Sequence, residues 1–464
     1  MSNVIHADDR GIAGDGGYYA SFGLRLACLA GMGALFFSTY GLSNWLASLR
    51  GPLPTIAFDW EHAIPFVPWT IVPYWSIDLL YALSFGLCTK RQELFDHVKR
   101  LLIVQMISVA CFMLWPLSFG GQRPDTSGVM GELFSLLAGF DKPYNQAPSL
   151  HIGLLVVLWA FYAEKSRTAM SRGFLHLWFA GIGVSVLTTW QHHFFDVPTG
   201  AAVGCLALFL FPLRNEPYGS ALADSKPSAR SRQIAFWYAI GASAAAISTL
   251  LLMRWSAAFA LCTGWIALAT ACVAWAYWRG GPYAFQKNDR GQIPLAVRLL
   301  LAPVIAGAFV NSRIWTRTQP DAVKVAPGVY VGRTPTNRDI RRHRYAANLD
   351  LTAEMPRWTR DDASFAYVCV PQLDLVPSSL SCLHEAVHAL DRLHREHGDV
   401  LVSCALGLGR SVRCVAGWIA MKEGLSDARE AILMVRRAQP RAVCSEESVA
   451  LLQTWIDSTR ALEV

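Results

Sequence analysis

The sequence predicts a multi-pass all-α membrane bundle, six core helices plus a helical hairpin, followed by a soluble α/β domain. Three observations carry that expectation. Eight apolar stretches of about 15–25 residues precede residue 280, each near the ~20 needed to cross a bilayer as a helix. Apolar residues make up 53% of the 464-residue chain and charged residues only 16%, too few to cover so much apolar surface in water. From about residue 318 the charge density rises, and short strand-like pieces alternate with helical patterns.

The apolar stretches lie near 22–46, 68–88, 101–118, 150–164, 174–190, 197–213, 234–253 and 257–278. The first is too long for the apolar core of a cleaved signal and lacks a small-residue cleavage site. Basic residues alternate between the connections. Lys90, Arg91, Lys99 and Arg100, then Lys165, Arg167 and Arg172, then Arg214, Lys226, Arg230 and Arg232 crowd one side. The other side carries Arg50, then Arg123 and Lys142, then Arg254. The positive-inside bias makes the richer side cytoplasmic, so a multi-pass membrane protein with a cytoplasmic C-terminal domain is expected.

This divides the chain into a six-helix unit (1–213), a Ser-, Pro- and Ala-rich linker (214–233), a hairpin (234–278) turning at Met253-Arg254-Trp255, an interfacial linker (279–317) and an α/β domain (318–464). Segment 293–315 is apolar but holds Arg298, Pro303 and Arg313. It reads as an amphipathic helix on the membrane surface, with a ninth span as the alternative. In the last domain, strands are expected at 329–331, 347–349, 367–370 and 400–402. Helices are expected at 337–345, 378–397, 410–423, 426–438 and 445–460.

The +7 net charge is spread out, with no basic block interleaved with aromatics, so no nucleic-acid partner is expected. Membrane lipids are the expected surroundings. The 11 cysteines are odd in number and irregular in spacing, which argues against a disulfide framework; no C-x-x-C zinc pattern occurs.

The strand signal at Val400-Leu401-Val402-Ser403 runs into Cys404-Ala405-Leu406-Gly407-Leu408-Gly409-Arg410-Ser411, and a helix follows. Five residues between Cys404 and Arg410 can curl so that successive backbone N–H groups cradle a phosphate dianion. Gly407 and Gly409 permit the tight curl. Arg410 grips two phosphate oxygens. The same donors stabilise the Cys404 thiolate, which attacks phosphorus, and Ser411 can hydrogen-bond the sulfur as it leaves. Asp374, 30 residues before Cys404, is the candidate general acid.

This unit resembles the dual-specificity protein phosphatases of the cysteine-dependent phosphatase superfamily over about 320–464. Val331-Gly332-Arg333-Thr334-Pro335 and Ala347-Asn348-Leu349-Asp350-Leu351 resemble that family's opening strand and the next one. The α/β domain is therefore expected to be a cysteine-phosphatase domain. Ser403 departs from the pattern, which has His before the nucleophile.

Three polar clusters interrupt the apolar half on its outward side: Gly121-Gln122-Arg123-Pro124, Ala147-Pro148-Ser149-Leu150-His151, and Trp190-Gln191-His192-His193-Phe194-Phe195-Asp196. Polar groups at span ends in so apolar a chain are functional candidates. Asp196, one helical turn after His192, can orient its ring. His192 would then attack phosphorus, His151 would protonate the leaving group, and Arg123 and Ser149 would hold phosphate oxygens. His193 has no partner at a matching spacing and reads as a wet loop residue.

The clusters resemble the type 2 phosphatidic acid phosphatase superfamily over about 70–213, nearest its inositol-phosphoryl-ceramide and sphingomyelin synthase branch. Two cations of the hydrolase pattern are absent. Pro116 stands where a Lys is expected, and Val186 where an Arg is expected. Either the substrate is a less charged diester, or the site is weak. The two-domain order resembles bacterial fusions of these two kinds of domain.

His384-Glu385-Ala386-Val387-His388 matches a zinc-protease motif, with His394 at the third-ligand distance. On an unbroken helix His394 lies ~80° from His384 and ~120° from His388, which suits solvated histidines rather than a metal. No metal and no cofactor are expected at either site. The expected protein is a membrane phosphatase with two sites. One is an outward His-based lipid-phosphate phosphohydrolase or phosphotransferase. The other is a cytoplasmic Cys-based phosphatase for a phosphorylated lipid or phosphoprotein. The alternative is a membrane-anchored protein phosphatase whose membrane domain is a non-catalytic sensor or anchor.

Overall fold

Long apolar runs become helices throughout the first half of the chain. The computed structural model describes residues 19–213, 227–343, 345–360 and 365–461, which fall into two compact units, Met1–Arg214 and Asn215–Val464. The linker cations Arg214 and Lys226 lie outside the described residues.

The first unit holds α1 (Phe22–Ser48), α2 (Ile71–Leu87), α3 (Arg91–Leu114), α4 (Gly128–Phe140), α5 (Leu150–Lys165), α6 (Ala169–Thr188) and α7 (Asp196–Leu210). The second unit opens with α8 (Ala229–Leu252) and α9 (Ala257–Trp275), an antiparallel hairpin joined at residues 253–256. Six helical segments among the described residues are long and apolar enough to cross a membrane: α1, α2 with its leading turn, α3, α6, α8, and α9 extended to Gly280.

α5 and α7, with 16 and 15 residues, fall on the expected stretches 150–164 and 197–213 and are as short as those. Several expectations need correction. α4 was not foreseen, because 13 residues between polar clusters give no span-length signal. α3 starts at Arg91, so Lys99 and Arg100 are helical; Arg100 is buried and donates to the carbonyls of Phe211 and Pro212. α8 starts at Ala229, inside the expected linker. Segment 293–315 is two helices, α10 (Leu295–Leu300) and α11 (Ala302–Trp315), broken just ahead of Pro303.

Within the first unit, α5 and α7 meet backbone to backbone. A Cβ on Gly200 would lie 2.4 Å from Ser149 O, and one on Gly204 2.6 Å from Gly153 O. This spacing of small residues lets two helices approach closely. It sets the start of α5, with Ser149 and His151, against the start of α7, with Asp196. Ser149 N donates to Asp196 O at 3.1 Å.

The second unit continues into a five-stranded sheet of order β1-β2-β5-β3-β4. The strands are β1 (Ala322–Ala326), β2 (Val329–Arg333), β3 (Ala347–Thr352), β4 (Ala366–Gln372) and β5 (Val400–Cys404). β1, which the sequence did not reveal, pairs antiparallel with β2, and the other pairings are parallel. Strand alternation separates two faces. Val329, Val331, Leu349, Leu351, Val400 and Val402 point into the main core, whereas Leu401 joins Tyr345 and Phe365 in a smaller cluster. The helices are α12 (Asn337–His343), α13 (Leu380–His397), α14 (Arg410–Glu423), α15 (Ala428–Ala438) and α16 (Glu446–Ala461). α13 enters the main core through Leu383, Val387 and Leu390, at helical spacing.

A buried ion pair ties the sheet to the segment after the hairpin. Lys287 Nζ reaches Asp350 Oδ2 at 2.7 Å and Thr352 O at 2.8 Å, and both side chains are almost fully enclosed. Tyr367 and Thr352 fill the remaining carboxylate positions. Burial pushes the Asp350 carboxyl up, but Lys287 and these hydrogen bonds outweigh it and hold it below its usual value of 3.8. Its contribution to stability is thus present above that value and is lost as pH falls through the lower folded value. Lys287→Ala leaves Asp350 charged and unpaired, and is expected to cost about 3–5 kcal/mol. Thermal unfolding of the full-length protein in detergent checks this; a melting temperature within a degree or two of wild type would contradict it.

Candidate active site

β5 delivers Cys404 to the carboxyl edge of the sheet, and α14 begins six residues later at Arg410. The chain between them curls around the sulfur. Gly407 N donates to Cys404 Sγ at 3.3 Å, and Ser411 Oγ lies 3.3 Å from the same sulfur. The two glycines differ in what they do. Gly407 has φ +74°, and a Cβ there would sit 2.5 Å from the Gly332 carbonyl carbon, so no larger residue fits. Gly409 has φ −129° and meets only ordinary contacts, so its backbone does not demand glycine. Cys404, Arg410 and Ser411 are all buried.

Burial pushes the Cys404 thiol up. The Arg410 guanidinium, with hydrogen bonds from Ser411, more than offsets that and holds it below its ordinary value of 9.0. Ser403, where the family pattern has His, turns away from the loop and donates to Asn348 Oδ1 at 2.9 Å. It braces β5 against β3 rather than acting on the sulfur.

Arg410 is held by groups of opposite charge and by carbonyls. Glu354, just past β3, takes both terminal nitrogens at 2.9 and 2.7 Å; Gln372 O accepts at 2.8 Å; Asp374 Oδ1 lies 3.2 Å away. Its Nε has no partner among the described residues. Asp374 thus converges with Cys404 and Arg410, and its side chain is 39% exposed at the mouth of the site. Leu375 next to it has φ +61°, a left-handed backbone that costs a side chain with a Cβ about 1–2 kcal/mol. Sequence reasoning missed Glu354, because its role depends on a turn that no spacing rule marks.

In the first unit the three polar clusters share one region. His192 Nδ1 lies 3.1 Å from Asp196 Oδ2. His151 stacks on Tyr74 with ring centroids 4.2 Å apart, and its buried Nε2 has no partner among the described residues. Ser149 caps α5 by accepting from Ile152 N. Arg123 lies over the Phe134 ring. Asp141, not foreseen, interacts electrostatically with both His192 and Arg123 and accepts from Tyr40 at 2.5 Å. His193 is a correction: it is a structural bridge, not a wet loop residue. Its Nδ1 lies 2.9 Å from Glu61 Oε2, its Nε2 lies 2.6 Å from Phe119 O, and its ring stacks on Phe119.

The zinc-protease motif lies on α13. His384 and His388 are exposed neighbours, while His394 turns to Gly398 O and packs on Trp418. Among the described residues no group of three His, Cys, Asp or Glu is arranged to hold a metal ion.

A mostly parallel sheet with a cysteine at a strand end, a five-residue loop whose Gly407 amide turns to that sulfur, and an arginine at the start of the next helix defines a cysteine-dependent phosphoester phosphatase. The family model for the dual specificity phosphatase catalytic domain matches residues 329–457, and that segment is such a domain. Among solved structures, the chain is similar to PTPMT1 in complex with PI(5)P (14% identity, 31% of this chain, all of that chain, TM-score 0.29). It is also similar to human DUSP28 (23%, 30% and 99%, 0.28) and to Tk-PTP in the active form (27%, 30% and 97%, 0.26). No curated protein matches the chain.

Proposed function

We propose that the chain is an integral membrane phosphatase whose C-terminal domain cleaves phosphomonoesters in the cytoplasm through a cysteinyl-phosphate. The observation that carries this is the Cys404 sulfur, ringed by the Gly407 amide and the Ser411 hydroxyl next to a buried Arg410. The phosphate dianion competes with Asp374 for Arg410 and frees that carboxyl. The thiolate forms the S–P bond, the P–O bond to the alcohol breaks, and protonated Asp374 gives its proton to the departing oxygen. Water then attacks phosphorus and returns a proton to Asp374. Inorganic phosphate leaves as Ser411 hydrogen-bonds the released thiolate.

The second part of the proposal is a His-based site on the outer face of the first unit, acting on a lipid phosphate by hydrolysis or head-group transfer. The His192–Asp196 contact and the unpartnered Nε2 of buried His151 support it. Against it, Pro116 and Val186 supply no cation, and Asp141 adds an anion. These favour the rival reading, in which the membrane unit is a non-catalytic sensor or anchor. The six apolar segments support embedding in a membrane, and the basic residues around the hairpin support a last domain inside; the bacterial inner membrane is what the resemblance to two-domain fusions implies.

The test is purified full-length protein with Cys404→Ser and His192→Ala, singly and together, given a lipid-phosphate panel and an aryl phosphate. His192→Ala is expected to remove part of the lipid activity and leave aryl phosphate turnover intact. If His192→Ala changes nothing while Cys404→Ser removes everything, the outer site is not an enzyme.

A further inference from the structure

The end of the hairpin reaches the phosphate pocket. α9 runs on into a π-helical turn, Ala276–Gly280, where the apolar run that could cross a membrane also stops. Tyr277 in that turn donates its hydroxyl to Asp374 O at 3.1 Å. Tyr238 of α8 stacks on Tyr277, ring centroids 5.7 Å apart, and both tyrosines lie within electrostatic reach of Glu354 and Asp374. From another side, Ser312 of α11 donates to Ala405 O, inside the phosphate loop, at 2.5 Å. α11 also leaves Val310, Ile314 and Trp315 exposed.

A span that ends at Gly280 puts the bilayer surface at the level of Tyr277, one hydrogen bond from the candidate acid. Direct hydrogen bonds join the pocket to the end of the hairpin and to α11. Leu375 adds an independent observation. It follows Asp374, is 67% exposed, and sits in a left-handed backbone that Gly or Asn would adopt more readily. At the mouth of the site this leucine offers an apolar contact to the acyl part of a lipid.

We infer that the Cys404 site acts on phosphomonoesters of lipids resident in the bilayer rather than on phosphoproteins. This rests on the phosphatase reading of Cys404 and on the embedding of the hairpin. The lipid stays in its leaflet, its phosphate enters between Asp374 and Arg410, and Leu375 contacts the apolar part.

The test uses full-length protein in phosphatidylcholine vesicles, and counts as Cys404-dependent the wild-type rate minus that of Cys404→Ser. The probes are phosphatidylglycerol phosphate in the same bilayer, soluble glycerol phosphate, a phosphotyrosyl and a phosphothreonyl peptide, and p-nitrophenyl phosphate. The lipid is expected to exceed glycerol phosphate and both peptides in kcat/KM by about tenfold or more. Leu375→Asn is expected to lower the ratio of lipid to p-nitrophenyl phosphate turnover several-fold. Equal or better turnover of a peptide or of glycerol phosphate overturns the inference, as does an equal effect of Leu375→Asn on lipid and aryl substrates. No Cys404-dependent cleavage of p-nitrophenyl phosphate would instead remove the phosphatase reading itself.

Discussion

Cys404→Ser is expected to lower kcat for aryl phosphate on the order of 10⁴-fold or more, as loss of a covalent nucleophile does. The change swaps one atom inside a loop whose shape is set by the backbone, so the fold has no reason to move. The chemistry does. A serine hydroxyl stays protonated under the same donors that keep the Cys404 thiol below its ordinary value against the opposing effect of burial. The same balance sets a pH dependence. Thiolate is present above the folded pKa and is lost as pH falls through it, so the acidic limb of kcat/KM belongs below 9.0. Ser411→Ala removes one of the stabilising hydrogen bonds and is expected to move that limb upward. Rates of alkylation by iodoacetamide against pH, read beside the kinetic profile, check both statements. A limb at or above 9.0 in the wild type would mean that the loop does not activate the sulfur.

The parts that sequence made legible are those written in local periodicity. Val400-Leu401-Val402 had to be a strand and Arg410–Glu423 a helix, so the C-x5-R between them had one plausible shape. Apolar runs likewise marked where helices lie. Their ends were less legible, because the first turns of α3 and α8 are polar and nothing local separates a charged helix turn from a loop. β1 was hidden because its five residues, Ala-Val-Lys-Val-Ala, gain strand character only by pairing with β2. The groups missed at the sites share one cause. Glu354, Asp141 and Tyr277 reach their partners across 56, 101 and 97 residues of chain, and no spacing rule reaches that far. His193 shows the converse. Its neighbour His192 has the legible i,i+4 partner, while its own partners come from Glu61 and Phe119 on distant loops.

Arg410→Lys is expected to cost on the order of 10³-fold in kcat/KM, the scale of losing preorganised donors to a transition-state oxyanion. The guanidinium is planar and forks, so it can meet Glu354 end-on with both terminal nitrogens and still offer its Nε and Nη2 edge, where Asp374 approaches Nη2, to two phosphate oxygens. An ammonium is a point charge that cannot do both. Lysine would follow either Glu354 or the phosphate, and the Cys404 thiolate would lose part of its counter-charge. Loss should therefore appear in kcat as well as KM, and the acidic limb should rise, as in Ser411→Ala but further. Glu354→Gln separates positioning from contact. It keeps a hydrogen-bond acceptor beside Arg410 and removes only the charge that aims the fork, so its loss should be much smaller than that of Arg410→Lys and fall mainly on KM. Equal losses in the two variants would mean that Glu354 itself takes part in the chemistry, and the division of labour between Arg410, Asp374 and Glu354 would have to be redrawn.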